Sequence, residues 1–266
     1  MELTRIEQLI DLPFVLVSGQ ARSGTTVLTQ AMAAHPDVFS NDMENTWVRD
    51  VLDLLAANVD NQSRMRQCLV SPEQFVASFR EATFKILFPD KVWPAKLPQA
   101  VSTFSSLKHE VFEQLTQLLP RVKLLNIVRN GVEVVSSRMI HRHIGAWSFE
   151  DHCEAWARSV DVVEWAEGQP YFMLVRHEQL LGDGTGELFR AIQAWIGLDY
   201  SDRCHEFVLQ NLINTTGQSD EPITQPGHLK NRIDRCRNWT AEQKGTFEEI
   251  CSDGMAYFGY RIPWLG

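Results

Sequence analysis

The sequence lacks the features that define several classes of protein. It has five cysteines and no CxxC pair, which predicts neither a disulfide framework nor a zinc site and favours a reducing compartment. No apolar run approaches the roughly 20 residues of a membrane span, and the N-terminus does not resemble a secretory signal. The net charge of -9 disfavours nucleic acid or a polyanionic polysaccharide as the main partner. We therefore expect a cytoplasmic protein with no membrane span.

The domain organisation follows from length and composition. A chain of 266 residues with 44% apolar content can bury one substantial core, and neither an internal repeat nor a linker is visible, so one domain over 1–266 is expected. Three NxS/T sequons, at Asn61, Asn214 and Asn238, would matter only if the protein entered the secretory pathway.

Short apolar runs followed by polar turns predict three buried strands, at Phe14 to Ser18, Val122 to Val128 and Tyr171 to Val175. Helical patterns follow them at Thr26 to Ala34, Val132 to Ile140 and Gly186 to Ile196. This alternation predicts an α/β fold built from parallel βαβ units.

Capping residues and proline mark further helices and loops. Helices are expected at about 72–87, from Ser148 to about Glu167, and at 240–257, where capping sequences or a serine precede helical patterns. Proline, glycine and polar residues predict loops at Pro89 to Pro98 and Thr215 to Asn231.

A candidate phosphate loop, SGQARSGTT, follows the first predicted strand at 18–26. Its glycines are five apart, as in GxxxxGK[ST], and backbone N–H groups at a helix N-terminus form an anion site to which Ser23, Thr25 and Thr26 would add hydroxyls. Thr25 stands where a nucleoside triphosphatase has lysine after Gly24, and the cation comes earlier, at Arg22. That difference disfavours ATP; a plain turn with a solvated Arg22 is the structural alternative.

A second candidate anion site follows the strand Val122 to Val128. Arg129 lies at its carboxyl end, the edge at which parallel sheets bind ligands, and Ser137 is one or two helical turns into the next helix. The alternative is that Arg129 pairs with Glu133 and binds nothing.

These two segments resemble the family of sulfotransferases that use 3'-phosphoadenosine 5'-phosphosulfate (PAPS). GQARSGTTVLTQAMAAHPDV is similar to their 5'-phosphosulfate loop, in the arginine form of bacterial and protein-tyrosine members. The resemblance implies a P-loop-like three-layer fold with a central, mostly parallel sheet flanked by helices. It also implies that Arg22 contacts the 5'-phosphate and the transferring group, with Ser23, Gly24, Thr25 and Thr26 in the loop.

The 3'-phosphate motif of this family matches at Arg129, Asn130, Glu133 and Ser137, with Gly131 in place of the usual proline. VRHEQLL is similar to the family segment RYEDL, which implies that His177 lies near the adenine. Basic residues before Trp239 resemble the loop that closes over the donor's 3'-phosphate, and Lys230 and Arg235 are its candidates. PAPS is then the donor and the bisphosphate PAP the product.

The resemblance also implies residues for chemistry. Lys108 corresponds to a lysine that the family carries between the two phosphate motifs, with an ordinary surface lysine as the alternative. The general base is Glu44 or His109, with Glu44 favoured, while Asp42 and Glu110 remain open. Fixed cations can stabilise the leaving phosphate, and the sequence has neither HExxH nor an acid cluster with metal spacing, so no metal is expected.

The predicted function is transfer of a sulfuryl group to a hydroxyl acceptor, for which a small molecule is favoured over a protein. The alternatives are a small-molecule kinase on a phosphate-loop fold, and a nucleotide-binding protein that lacks the base. Binding of ATP with magnesium in preference to PAPS would favour the kinase.

Overall fold

The computed structural model describes residues 14–44, 78, 99–118, 121–211 and 236–265. Among them, five strands form one sheet: β1 (Phe14–Gly19), β2 (Val38–Glu44), β3 (Gln99–Ser105), β4 (Val122–Val128) and β5 (Phe172–Arg176). Their spatial order is β2-β3-β1-β4-β5, and every pair is parallel, as predicted. The sheet register places Phe14 beside Ala100 on one side and beside Val122 on the other.

The helices pack on both faces of this sheet. They are α1 (Thr25–Ala33), α2 (His109–Leu118), α3 (Gly131–Met139), α4 (Phe149–Ala166), α5 (His177–Gly182), α6 (Glu187–Ile196), α7 (Arg203–Gln210) and α8 (Ala241–Tyr257). The predicted helices α1, α3, α4, α6 and α8 are present within one residue of their expected bounds. The helix at about 72–87 and the two predicted loops lie wholly or almost wholly outside the described residues.

Two apolar clusters form the core among the described residues. Val15, Leu125 and Ile127 point to one face of the sheet and pack with α1, α6 and α7. Val128 points to the other face and packs with α3, α4 and α8. This alternation is what a strand's two-residue period produces when both faces are covered, so the described fold has three layers, as expected. The prediction of a single domain stays a prediction.

Local sequence explains where several helices begin. The Ser148 hydroxyl accepts a hydrogen bond from the Asp151 N–H at 3.0 Å, and the Asp151 carboxylate accepts from the Ser148 N–H at 3.0 Å, which is a capping box at the start of α4. Thr240 and Gln243 form the same arrangement at the start of α8. Both starts follow the predicted pattern.

Candidate active site

The site lies at the carboxyl edge of the parallel sheet. β1, β3 and β4 are adjacent and run in the same direction, so the segments that follow them emerge at one edge. These segments are 20–24, 106–108 and 129–130. Ligands of open α/β sheets bind at this edge, so the sheet order brings the two candidate phosphate motifs together.

The backbone of the phosphate loop curls into the start of α1. Gly19, Arg22 and Gly24 all have positive φ, of 146°, 82° and 106°. Gly24 is the N-cap of α1 and no side chain caps this helix. The amide groups of its first turn therefore lack a side-chain acceptor, which is the arrangement that helix N-termini use to bind anions.

Two glycines of this loop fit only without a side chain. A Cβ at Gly19 would lie 2.2 Å from the carbonyl oxygen of Ile127, on β4. A Cβ at Gly24 would lie 2.7 Å from Cδ2 of His177. The loop thus approaches its neighbours more closely than any other residue type allows.

The hydroxyl groups of the loop differ in environment. Ser23 and Thr25 are buried and Thr26 is exposed. Thr25 Oγ1 shares a hydrogen bond of 3.2 Å with Ser105 Oγ at the end of β3. The Thr25 hydroxyl therefore ties the loop to the neighbouring strand.

The second motif forms a buried turn. Arg129 donates from Nε to Glu133 Oε2 at 2.7 Å, and its Nη2 donates to the same oxygen. Both side chains are less than a tenth exposed. Asn130 caps α3, because its Oδ1 accepts from the Val132 N–H at 2.9 Å. Glu133 thus engages one edge of the Arg129 guanidinium. This is the pairing expected if Arg129 has a structural role.

The two motifs meet in space. Arg22 donates from Nε to Ser137 Oγ at 3.1 Å, and Arg129 Nη1 donates to the carbonyl oxygen of Arg22 at 3.4 Å. The cation of the first motif therefore lies against the hydroxyl of the second, and the Nη1 edge of Arg129 faces the phosphate loop. The expectation of two adjacent anion sites depends on this proximity.

Three further residues, His177, Lys230 and Arg235, were predicted to contact PAPS, and the structure describes only the first of them. His177 begins α5 and is buried against Gly24 rather than lying on an open surface. Lys230 and Arg235 lie outside the described residues. The roles predicted for these three residues stay predictions.

A cavity of about 430 Å³ adjoins the phosphate loop. Gly19, Gln20 and Ala21 line one side of it, and Lys108, His109 and Glu110 line another. Lys108 and two candidate bases, His109 and Glu110, thus line the same cavity as the phosphate loop. His109 also lies 3.4 Å from the Glu110 carboxylate.

The other two candidate bases, Glu44 and Asp42, belong to a different part of the sheet. Glu44 ends β2, at the position paired with Thr103 of β3, and Asp42 precedes it on the same strand. β2 is separated from β1 by β3. The backbone therefore places Glu44 at the carboxyl end of a strand two positions from the phosphate loop, and its role stays a prediction.

Two polar residues of this region were not predicted from the sequence. Gln20 Oε1 accepts from the Ala21 N–H at 2.7 Å and from Arg138 Nη1 at 3.1 Å, and it also accepts from the Ser106 hydroxyl. Gln20 Nε2 donates to the Ala155 carbonyl. The position of Gln20 between the loop glycines is a sequence signal that could have identified it. Nothing in the sequence pattern distinguishes Arg138.

Within the described ranges, no group of three His, Cys, Asp or Glu side chains is placed to hold a metal ion. No helix in that part of the chain combines the length and apolar character needed to cross a membrane.

Comparison with known proteins identifies the family. The family model described as "Sulfotransferase family" matches residues 13–202. Protein-tyrosine sulfotransferase 2 of Gallus gallus is 25% identical over 202 residues, which cover 72% of this chain and 53% of that protein. The chain therefore spans about half the length of this curated relative.

Solved structures share the fold at low sequence identity. The sulfotransferase domain of the Synechococcus PCC 7002 olefin synthase superposes with a TM-score of 0.58 at 16% identity, covering 94% of this chain and 96% of that one. A mouse sulfotransferase complexed with PAP gives a TM-score of 0.54 at 13% identity, with coverage of 94% and 88%. With the family match over residues 13–202, which is more than half of the sequence, the chain belongs to the sulfotransferase family.

Proposed function

We propose that this protein transfers a sulfuryl group from PAPS to a hydroxyl group of its acceptor. The observation that carries the proposal is the convergence of the two motifs, with Arg22 Nε 3.1 Å from Ser137 Oγ and Arg129 Nη1 3.4 Å from the Arg22 carbonyl. A single ligand with phosphates at its 5' and 3' positions can span two adjacent anion sites of this kind. The mouse relative in complex with PAP has the same fold, which supports this choice of donor.

The residues of both sites suit such a ligand. The uncapped start of α1 offers N–H groups to the 5'-phosphosulfate, and the glycines at 19 and 24 keep the loop backbone accessible. Arg22 supplies the cation of this site. At the other site, Arg129 Nη1 and the Ser137 hydroxyl bind the 3'-phosphate, while Glu133 fixes the orientation of the guanidinium. His177, Lys230 and Arg235 complete the donor contacts in the proposal.

The reaction forms one bond and breaks one. The acceptor hydroxyl oxygen attacks sulfur, the bond from sulfur to the 5'-phosphate oxygen breaks, and PAP leaves with the bonding electron pair. The hydroxyl proton passes to a general base. Arg22, Lys108 and the α1 amide groups stabilise the charge that grows on the leaving phosphate, so the reaction needs no metal.

Glu44 and His109 are the first candidates for the base, and Asp42 and Glu110 remain open. Glu44 is the base in our proposal, and His109 is the alternative that the cavity supports, because His109 lines it beside Lys108. Replacing each by glutamine separates them. The variant that lacks the base should lose transfer turnover without losing PAP affinity, whereas the other should keep both. Loss of PAP affinity in either variant would contradict a role restricted to proton transfer.

The acceptor in this proposal is a hydroxyl compound of low molecular weight, and the protein acts in the cytoplasm. The thiols of Cys153, Cys204 and Cys251 are free and buried, which suits a reducing compartment. The acceptor is tested with a panel of phenols, alcohols and tyrosyl peptides, in which sulfation of peptides alone would contradict a small-molecule acceptor.

The donor is tested by thermal unfolding in the presence of PAP, adenosine 5'-phosphate or ATP with magnesium. At a hundredfold excess over its Kd, a ligand that binds only the native state adds about 2.7 kcal/mol. For a chain of this length, that raises the Tm by roughly 5–10 °C. We expect the largest rise with PAP, whereas a larger rise with ATP and magnesium would point to a kinase.

A matched pair of variants assigns the effect to the site. Arg22→Met should weaken the PAP-induced rise, because it removes the cation next to Ser137. Arg142→Met removes an exposed arginine whose Nε donates to His143, and should leave the rise unchanged. Equal responses of the two variants would reject the role of Arg22.

A further inference from the structure

The floor of the cavity beside the phosphate loop carries a buried cation. Arg138, on α3, is 2% exposed and lines this cavity. Its guanidinium donates to two neutral acceptors, Gln20 Oε1 at 3.1 Å and His152 Nδ1 at 3.4 Å. None of the ion pairs found among the described residues involves Arg138. A buried charge without a counter-ion is costly, so a ligand anion at this point would stabilise it.

The charges around Arg138 favour an anion at this point. Burial, and to a lesser extent Arg158, lowers the pKa of Arg138 to about 10, so the guanidinium remains charged at neutral pH. Burial and Arg138 also lower the pKa of His152, which holds this histidine neutral. Neither neighbour offers Arg138 a negative charge.

The charged groups at the rim do not neutralise it. Arg158 is exposed and pairs with Glu154, and Lys108 is exposed at the end of the segment after β3. The two acids that line the cavity, Glu110 and Asp161, are exposed. Solvent screens these exposed carboxylates far more than a group on the buried floor.

An aromatic surface stands beside the cation. Trp147 is 50% exposed and lines the cavity, and the Arg138 guanidinium carbon lies 5.3 Å from the centre of its ring. The His152 ring lies 6.3 Å from the Trp147 ring at an angle of 14°. His152 Nε2 is buried and has no hydrogen-bond partner among the described residues. A large aromatic ring that stays exposed in a cavity offers a flat contact to an apolar ligand.

We propose that this cavity binds the acceptor by a carboxylate, held by Arg138, and by an apolar or aromatic body that packs on Trp147. The acceptor is then a hydroxyl compound that also carries a carboxylate. This inference rests on the proposed sulfuryl transfer, because Lys108 and the phosphate loop border the same cavity. A planar guanidinium matches the planar carboxylate, which gives the site its selectivity.

The test compares two ligands of nearly equal size, 3-(4-hydroxyphenyl)propanoate and its primary amide. Their Kd values are measured by calorimetry on the protein alone and on the protein saturated with PAP. We expect the carboxylate to bind about tenfold more tightly than the amide or better, the size of one charge-assisted hydrogen bond. The PAP titration reads the donor site independently, so absence of PAP binding would count against the proposed function and not against this cavity.

Variants assign the preference to Arg138. Arg138→Gln should bring the affinity ratio of carboxylate to amide close to one. The control is Arg190→Gln, which changes an exposed arginine on α6 that does not line the cavity and should leave the ratio unchanged. Trp147→Ala should weaken both ligands and preserve the ratio, and its side chain is exposed enough for the fold to survive the change.

Three results would overturn the proposal. The first is equal affinity of the wild-type protein for the carboxylate and the amide, a result that needs no variant to fold. The second is an unchanged ratio in folded Arg138→Gln. The third is loss of PAP affinity in that variant with the ratio intact, which would assign Arg138 to the donor.

Discussion

Replacing Arg129 by glutamine should separate its structural role from its role in donor binding. Arg129 and Glu133 are 8% and 9% exposed, so the single change leaves a buried carboxylate without its cation. Removing one partner of a buried ion pair costs about 3–5 kcal/mol. For a protein of this size, that lowers the Tm by roughly 6–20 °C. The double variant Arg129→Gln/Glu133→Gln removes both charges of this pair and should regain much of this loss.

The double variant then tests the phosphate contact in a folded protein. A hydrogen bond from Arg129 to the 3'-phosphate is worth about 1.5–3 kcal/mol. Its loss should therefore reduce the preference for PAP over adenosine 5'-phosphate by roughly 10- to 150-fold. The two Kd values are measured by calorimetry, and the affinity for adenosine 5'-phosphate should stay constant.

Glu133→Gln is the matched control, because it keeps Arg129 and removes only the residue that orients it. This variant should retain most of the preference for PAP. If the double variant binds PAP with the wild-type preference, Arg129 is only the partner of Glu133. The 3'-phosphate would then not bind at this turn.

Three further predictions follow from the structure. Gly19→Ala should lower the Tm far more than Gly168→Ala, because both residues have positive φ but only the first would place a Cβ 2.2 Å from a backbone oxygen, that of Ile127; equal losses in thermal unfolding would contradict this. Burial lowers the pKa of His152 below its usual 6.5, so the unfolded state takes up more protons and the free energy of unfolding should fall as the pH drops below about 6.5. His152→Gln should show a shallower fall in denaturant titrations between pH 6.5 and 5, and an identical slope would argue against a buried neutral histidine. EDTA should leave transfer turnover unchanged, and a loss restored by one divalent cation would contradict reliance on fixed cations alone.

The part of the fold predicted from the sequence is the part whose strands are mostly apolar. β1, β4 and β5 are of this kind, whereas β3 carries polar residues at its centre. Thr103 of β3 is 6% exposed, and its hydroxyl hydrogen-bonds that of Thr29 on α1 at 2.5 Å. A buried hydroxyl of this kind is satisfied by a residue 74 positions away. Local hydrophobic patterns contain no information about such a partner, so β3 and its edge neighbour β2 were missed.

The same distinction explains which parts of the site were predicted. The phosphate loop and the turn after β4 are local, since glycines, a cation and a helix start lie within nine residues of each other in the sequence. The cavity floor is not local, because Arg138 reaches Gln20 across 118 positions of the chain. Lys108 was predicted to act with the phosphate loop only through the family resemblance. The sheet order explains why the two are close, because β3, which precedes Lys108, lies directly beside β1.

Gln20 connects the phosphate loop to Arg138 on the cavity floor through its hydrogen bonds. Three donors converge on Oε1, from the Ala21 N–H, the Ser106 hydroxyl and Arg138 Nη1. A carbonyl oxygen has two lone pairs, so one of the three bonds is weaker than it would be alone. If the carboxylate of the proposed sulfuryl acceptor draws Arg138 Nη1 away from Gln20, the hydrogen bonds from the Ala21 N–H and the Ser106 hydroxyl stay intact. In the proposed reaction, a carboxylate bound in the cavity would therefore engage Arg138 without disturbing the phosphate loop.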